Sequence, residues 1–315
     1  MVFGESKIKD LYRQLVWGPG RQALEASPDT MELRLIRAAA RTAALGMAGR
    51  RNHLVDNLRR AFPQRADLDR VARDAFAAHF SNQYLSFTFG KCDKDNWSTY
   101  MEFRGMEHLE RAHAAGRGVV LMHPHMGPAQ LPLHVLGVLG WPMHQVGGGE
   151  VTLVELSETG RWAAETRAEL ERRMPVTLHD GKRFLRPILR ALKGGAVVMS
   201  ACDATGGGTE LGRRLVRTVL GQPFPLPVGP IWMAHMSRAP LLTVHCTRNR
   251  GSGAMFIAEI GPELPLLREG RREDVLEQGA DLIAAYLDQT LREHPGDWLF
   301  WDGFEPGGLL PGEAS

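Results

Sequence analysis

Hydrophobic positions follow a helical period at the start of the chain and shorten to unbroken runs further on. Between residues 31 and 48 the apolar positions are Met31, Leu33, Leu35, Ile36, Ala39, Ala43 and Leu45, with Arg34, Arg37 and Arg41 between them. This spacing predicts a helix, with Asp29 or Thr30 placed to cap it. Residues 67–89 repeat the period, with Leu68, Val71, Phe76, Phe80, Tyr84 and Phe87 on the inner side. Short apolar runs then predict strands at 118–123, 142–147, 174–178, 195–201, 240–248 and 254–260. Helical stretches at about 128–139, 150–173, 182–193 and 228–237 separate the earlier strands, the rhythm of a parallel or mixed sheet. Asn249-Arg250-Gly251-Ser252-Gly253 joins the last two strands as a hairpin turn. A long helix near 271–293 follows. The pattern predicts an α/β fold in one domain, with a central mixed, mostly parallel sheet flanked by helices. An α-helical N-terminal region (1–100) precedes the core (101–305), and Pro306-Gly307-Gly308 opens a loose tail (306–315).

Composition narrows the class. Apolar residues make up 43% of the 315 and charged residues 23%, an ordinary globular balance. A net charge of +2 gives no whole-molecule field for nucleic acid. Cys92, Cys202 and Cys246 lie far apart, which suits a reducing compartment and excludes a small disulfide framework. The first 30 residues show no apolar core followed by a small-residue cleavage site. No run approaches the roughly 18–20 apolar residues of a bilayer span. The expected location is cytoplasmic, with peripheral contact at the inner membrane face. Arg34, Arg37 and Arg41 beside apolar residues would make that contact; the same helix reads equally well as core-packed with a solvated basic face.

The chemistry concentrates in Gly118-Val119-Val120-Leu121-Met122-His123-Pro124-His125-Met126-Gly127-Pro128-Ala129-Gln130. A buried strand ends there in a loop with two histidines, and ligand sites of α/β sheets sit just past the carboxyl ends of strands. An imidazole in that place can act as a general base near neutral pH. Other site types are missing. The chain has no Gly-x-Ser-x-Gly elbow, no Walker A motif and no Gly-x-Gly-x-x-Gly after a strand. His123, His125, His134 and His144 do not fall into a metal-binding motif.

The same segment resembles the His-x4-Asp/Glu block of the lysophospholipid acyltransferase superfamily. More narrowly, it is similar to the branch of the late lipid A (lauroyl/myristoyl) acyltransferases and the phosphatidylinositol mannoside acyltransferases. Five further blocks fall in that branch's order. Arg50-Arg51-Asn52-His53-Leu54-Val55-Asp56-Asn57-Leu58-Arg59-Arg60-Ala61-Phe62-Pro63 matches its basic, Asn-Leu and Phe-Pro signature. Phe103 to Leu109 matches its Gly-x-Glu-x-Leu lead-in, and Lys193 to Asp203 its later strand ending in an acid. Pro227-Val228-Gly229-Pro230 with Ala234 matches the Gly-Pro helix entry, and His294 to Trp301 closes the series. The likeness spans roughly residues 45–305. It implies transfer of a fatty acyl group from an acyl carrier protein or acyl-CoA thioester. The acceptor would be a hydroxyl or amine of a lipid, glycolipid or lipid-like molecule, with no cofactor beyond the thioester co-substrate.

The block places His125 as the base and leaves His123 a structural role. Where the family has its acid, this chain has Gln130, which can accept a hydrogen bond but cannot offset an imidazolium charge. Asp203, just past the strand at 195–201, is the substitute, since two parallel strands bring their end loops together; an Asx turn or helix cap is the other reading. Glu150, after Gly147-Gly148-Gly149, ranks third. Gly127 would offer a backbone N–H to a developing oxyanion, or simply make a tight turn. Arg213, Arg214 and Arg217, with Lys182, Arg183 and Arg186, would bind phosphate of a carrier or lipid, or form a solvated face. Trp298, Phe300 and Trp301, with Trp141, Trp162 and Trp232, would line an acyl pocket, meet a membrane interface, or belong to the core. Two rival functions stand beside acyl transfer: a non-catalytic lipid- or carrier-binding relative, because of Gln130, and a thioesterase.

Overall fold

Apolar runs without polar alternation have one stable solution, burial on both faces of a sheet covered by helices. The computed structural model describes residues 7–147, 156–180, 186–203 and 212–304, and adopts that solution. Its strands are β1 (Met101–Arg104), β2 (Val119–His123), β3 (Met143–Gly147), β4 (Thr177–Asp180), β5 (Val197–Ala201), β6 (Arg214–Val219), β7 (Gln222–Pro227), β8 (Leu241–Arg248) and β9 (Phe256–Ile260). Seven form one sheet in the order β1-β9-β8-β2-β5-β3-β4. Strands β8, β2, β5, β3 and β4 run parallel; β9 turns back on β8 through the expected hairpin, and β1 follows β9.

Helices α1 (Lys7–Leu15), α2 (Arg21–Glu25), α3 (Met31–Gly46), α4 (Ala48–Ala61), α5 (Leu68–Gln83) and α6 (Trp97–Tyr100) build the N-terminal region. Those interleaved with and following the sheet are α7 (Met106–Ala114), α8 (Leu131–Val138), α9 (Glu158–Glu171), α10 (Arg186–Lys193), α11 (Gly229–Ser237) and α12 (Arg272–Glu293). The period of two sorts β2 between the layers. Val120 and Met122 join α4, α5, α10, α11 and α12 on one face, while Val119 and Leu121 join α7 and α8 on the other. Gly105 opens α7 at φ 73°, and a Cβ there would stand 2.1 Å from the Ile260 carbonyl oxygen, so the Gly-x-Glu-x-Leu lead-in needs its glycine. Among the described residues no helix is long and apolar enough to cross a membrane.

The pattern reading misses three strands. β1 is a four-residue edge strand. β6 and β7 form a separate antiparallel ribbon against α12. Pro223, Pro225 and Pro227 obscure β7, because proline cannot donate to a ladder. They pair with Thr218, Val216 and Arg214, every second position of a two-stranded ribbon, where the missing N–H can face outward. Leu220 and Gly221, both at positive φ (51° and 73°), make the two-residue turn, and Asp288 Oδ1 accepts the Leu220 N–H at 2.6 Å. Two other expectations also change. Thr30 precedes α3 without a side-chain cap bond, in the left-handed region at φ 62°. The long helical stretch from 67 ends at Gln83 and gives way to a 3-10 turn at Leu85–Thr88.

Candidate active site

Strands β2 and β5 are neighbours in register, with His123 opposite Ala201, so the residues just beyond them must meet. His125 and Asp203 do. The His125 Nδ1–H donates to Asp203 Oδ1 at 2.8 Å, and the His125 backbone N–H donates to Oδ2 at 2.8 Å. Trp298 Nε1 donates to the same Oδ2 at 2.8 Å. Asp203 is completely buried, whereas 26% of the His125 side chain is exposed. Burial opposes ionisation of Asp203. The His125 interaction and the donors from Trp298 and the His125 backbone outweigh it and hold the carboxyl below its ordinary range. An ionised carboxylate only accepts, so the proton sits on Nδ1 and Nε2 is the ring nitrogen left for chemistry.

His123, fully buried, donates from Nδ1 to the Pro124 carbonyl at 3.1 Å. Burial first, then the neighbouring His125, push its pKa down to about 4, so it stays neutral. Cys202 and Cys246 are buried thiols with pKa values well above normal; burial dominates, with Asp203 and Asp297 respectively adding to it. Neither is poised as a thiolate. Phe300 stands against His125 with ring centroids 4.8 Å apart.

Gln130 does not touch the imidazole in any described contact. It precedes α8, and its Nε2 donates to Gln145 Oε1 at 3.5 Å, a weak bond. The expectation that it helps support His125 is therefore replaced by Asp203 with Trp298. Gly127 also takes a different part. Its N–H donates to the Asp297 carbonyl at 2.7 Å and so is not free for an oxyanion. A Cβ at Gly127, where φ is 53°, would lie 2.8 Å from the Cys246 carbonyl oxygen, which makes this a tight turn pressed onto β8.

The remaining basic candidates lie elsewhere. Arg213 pairs with Glu273 at 2.7 Å, and Arg217 with Glu277 and with Asp281, both on the exposed side of α12. Arg214 is on β6 with a buried Nε that lacks a partner. Arg186 is exposed at the start of α10. Glu150, Lys182 and Arg183 lie outside the described residues. The solvated basic face expected on α3 is partly turned inward: Arg37 is buried, and Arg41 reaches Asp74 at 2.9 Å.

No local sequence signal shows what holds the histidine loop. The segment after α12 lies across it. Met126 bridges Trp298, and Leu299 donates its N–H to the His125 carbonyl at 3.0 Å. The Arg50-to-Pro63 signature secures that segment from behind: Asn57 Nδ2 donates to the Trp301 carbonyl at 2.6 Å, and His53 Nε2 donates to the Asp302 carbonyl at 2.9 Å. Phe62 packs edge-on to Trp301, with centroids 5.7 Å apart. Trp298 and Trp301 are thus buried parts of the site's frame. Two blocks at opposite ends of the sequence form one brace, a link visible only once both are seen as fixed to the same loop.

A fully buried carboxylate thus meets a partly exposed imidazole at the strand ends of a helix-flanked mixed sheet. The match of residues 20–302 to the model for bacterial lipid A biosynthesis acyltransferases places the chain in that family. It is an acyltransferase of bacterial lipid biosynthesis, with a lipid-like acceptor and an acyl donor as substrates. No curated protein matches the chain.

Proposed function

We propose that the protein transfers a fatty acyl group from an acyl carrier protein or acyl-CoA thioester to a hydroxyl or amine of its lipid or glycolipid acceptor, with His125 as general base. The observation that carries this reading is the 2.8 Å contact of His125 Nδ1 with fully buried Asp203. It fixes the tautomer and leaves Nε2 to take the acceptor's proton as the oxygen or nitrogen attacks the thioester carbonyl. The imidazolium formed is paired with an ionised carboxylate, the role of the acid in a Ser-His-Asp site. The tetrahedral intermediate then collapses with loss of the thiolate, and the proton on Nε2 is available to the leaving sulfur. Attack is direct: the nearby thiols, Cys202 and Cys246, are buried and protonated, so no acyl-enzyme is formed on them.

Gln130 favours the rival of a non-catalytic relative, because the family's acid is missing from the block. The position of Asp203 supports the catalytic reading, since an acid reaches the ring from β5. Thiol release from a panel of acyl-CoAs and acyl carrier proteins, with and without a lipid extract, separates the three functions. Acceptor-dependent release lost in His125→Ala is the expected result. Release without acceptor would make the protein a thioesterase, and thioester binding without release would make it a binding relative.

A further inference from the structure

A second concentration of charge lies across the segment that braces the histidine loop. Arg65 follows α4, Arg70 lies on α5, Arg104 ends β1, and Arg248 and Arg250 end β8 and enter its hairpin. These five arginines line one cavity of about 370 Å³, against four carboxylates: Asp74, Glu259, Glu293 and Asp297. The size is that of a small-ligand pocket. We propose that this cavity is a second ligand site that takes a phosphate-bearing group.

Asp74, 5% exposed, meets four arginines with two oxygens: Arg248 and Arg250 of the cavity lining, and Arg37 and Arg41 of α3. Arg41 reaches it at 2.9 Å and Arg250 at 3.3 Å, but Arg37 and Arg248 stop at 3.8 and 3.9 Å, beyond hydrogen-bond range. The Nε atoms of Arg37 and Arg248 are buried with no hydrogen-bond partner. Buried donors of this kind are costly when unpaired. Asp297 compensates little: its Oδ1 takes only the Arg248 backbone N–H at 3.4 Å, and burial raises its pKa despite the charges of Arg37 and Arg248. Burial, then the charge of Arg248, lowers the Arg37 pKa to about 10.

The rim arginines have donors to spare. Arg65 and Arg70 share Asp67, and Arg104 pairs with Glu102, in partly exposed contacts that exchange readily with solvent. Guanidinium groups bind phosphate oxygens through paired N–H donors. The pocket shares Asp297 with the histidine loop, whose Gly127 N–H rests on the Asp297 carbonyl. A phosphate held here would therefore lie behind the brace, on the same sheet edge as His125. The binding claim stands on the pocket alone and does not require His125 to be a base.

Inorganic pyrophosphate is the probe, titrated calorimetrically into the full chain at low ionic strength. Saturable binding is expected, weakened roughly tenfold by Arg250→Gln and several-fold by Arg70→Gln. Both side chains are half-exposed at 53%, so the variants should fold, with circular dichroism as the check. His125→Ala should bind as wild type does, which separates failure of this site from failure of the catalytic reading. Competition by coenzyme A would assign the group to the acyl donor. Competition by phosphatidic acid vesicles, but not by phosphatidylcholine, would assign it to a lipid headgroup, and competition by neither to free phosphate. No saturable binding, or equal weakening by Arg217→Gln on β6, outside the cavity, would overturn the proposal.

Discussion

Asp203 and Asp297 are both buried acids at the same sheet edge, and their ionisation is driven in opposite directions. Asp203 has no exposed side chain, yet three N–H donors at 2.8 Å hold its carboxyl below the ordinary range. Asp297 is 5% exposed and its carboxyl is raised, because burial is answered by one long backbone contact at 3.4 Å and by arginines that act only at a distance. Burial sets the cost of a charge in both places, and directed donors decide whether that cost is met. Only the first arrangement yields a carboxylate able to orient and support an imidazole. The second leaves an unsatisfied cationic pocket.

The sharpest way to break this contrast is to remove the proposed base. His125→Ala should reduce acceptor-dependent thiol release by about 10⁴ or to the blank, without change in circular dichroism. Asp203→Asn keeps the shape and removes the charge, and should lower kcat by about 10³–10⁴ by freeing the wrong tautomer. If that variant turns over at wild-type rate, Asp203 is only a strand-end anchor. Trp298→Phe removes one donor to Oδ2 while keeping an aromatic ring. A loss in kcat of roughly tenfold is expected, with KM for the thioester nearly unchanged.

Acid–base linkage tests the same pair through stability. Asp203 is lowered on folding, so it contributes stability above about pH 4 that is lost as acid takes the protein through its folded value. Asp297 is raised, so its burden appears as pH climbs from about 4 through its folded value. The stability of Asp297→Asn relative to wild type should therefore rise as pH climbs above about 4, while that of Asp203→Asn should fall as pH climbs toward about 4 and stay level above it. Thermal melts on both sides of about pH 4 measure both, and a dependence of both variants on the same side would contradict the contrast. The smallest effect belongs to Gln130→Ala, within about threefold in kcat, because its described partner is Gln145 at 3.5 Å rather than His125. A loss comparable to that of Asp203→Asn would return Gln130 to the centre of the site.

Much of the scaffold was legible because local chemistry wrote it. Val119–His123 and Val197–Ala201 are apolar runs that only a sheet buried on both faces can accommodate, and they are β2 and β5. The Asn249–Gly253 turn closed the β8–β9 hairpin where the glycines placed it. The β6–β7 ribbon escaped notice because alternate prolines suppress a strand signal, and their tolerance depends on a partner strand that no local pattern reveals. At the site, adjacency of parallel strand ends was enough to pair His125 with Asp203. It gave no hint that the Gly127 N–H is taken by Asp297, or that Trp298 completes the carboxylate's shell.

The sequence by itself determined the α/β class, the order of the central elements, the family, and the strand end at which a histidine emerges. Those are properties of short stretches, set by side-chain period, turn residues and motif spacing. Tertiary structure alone decided that Trp298 completes the Asp203 shell while Gln130 turns to Gln145, why the N-terminal Arg50–Pro63 block matters to the histidine loop, and that seven arginines gather around Asp74 and one cavity. Each of those depends on donors brought together from distant segments. Hydrogen-bond direction and charge balance act over a few ångströms in space, and the chain encodes them only through the fold that closes those distances.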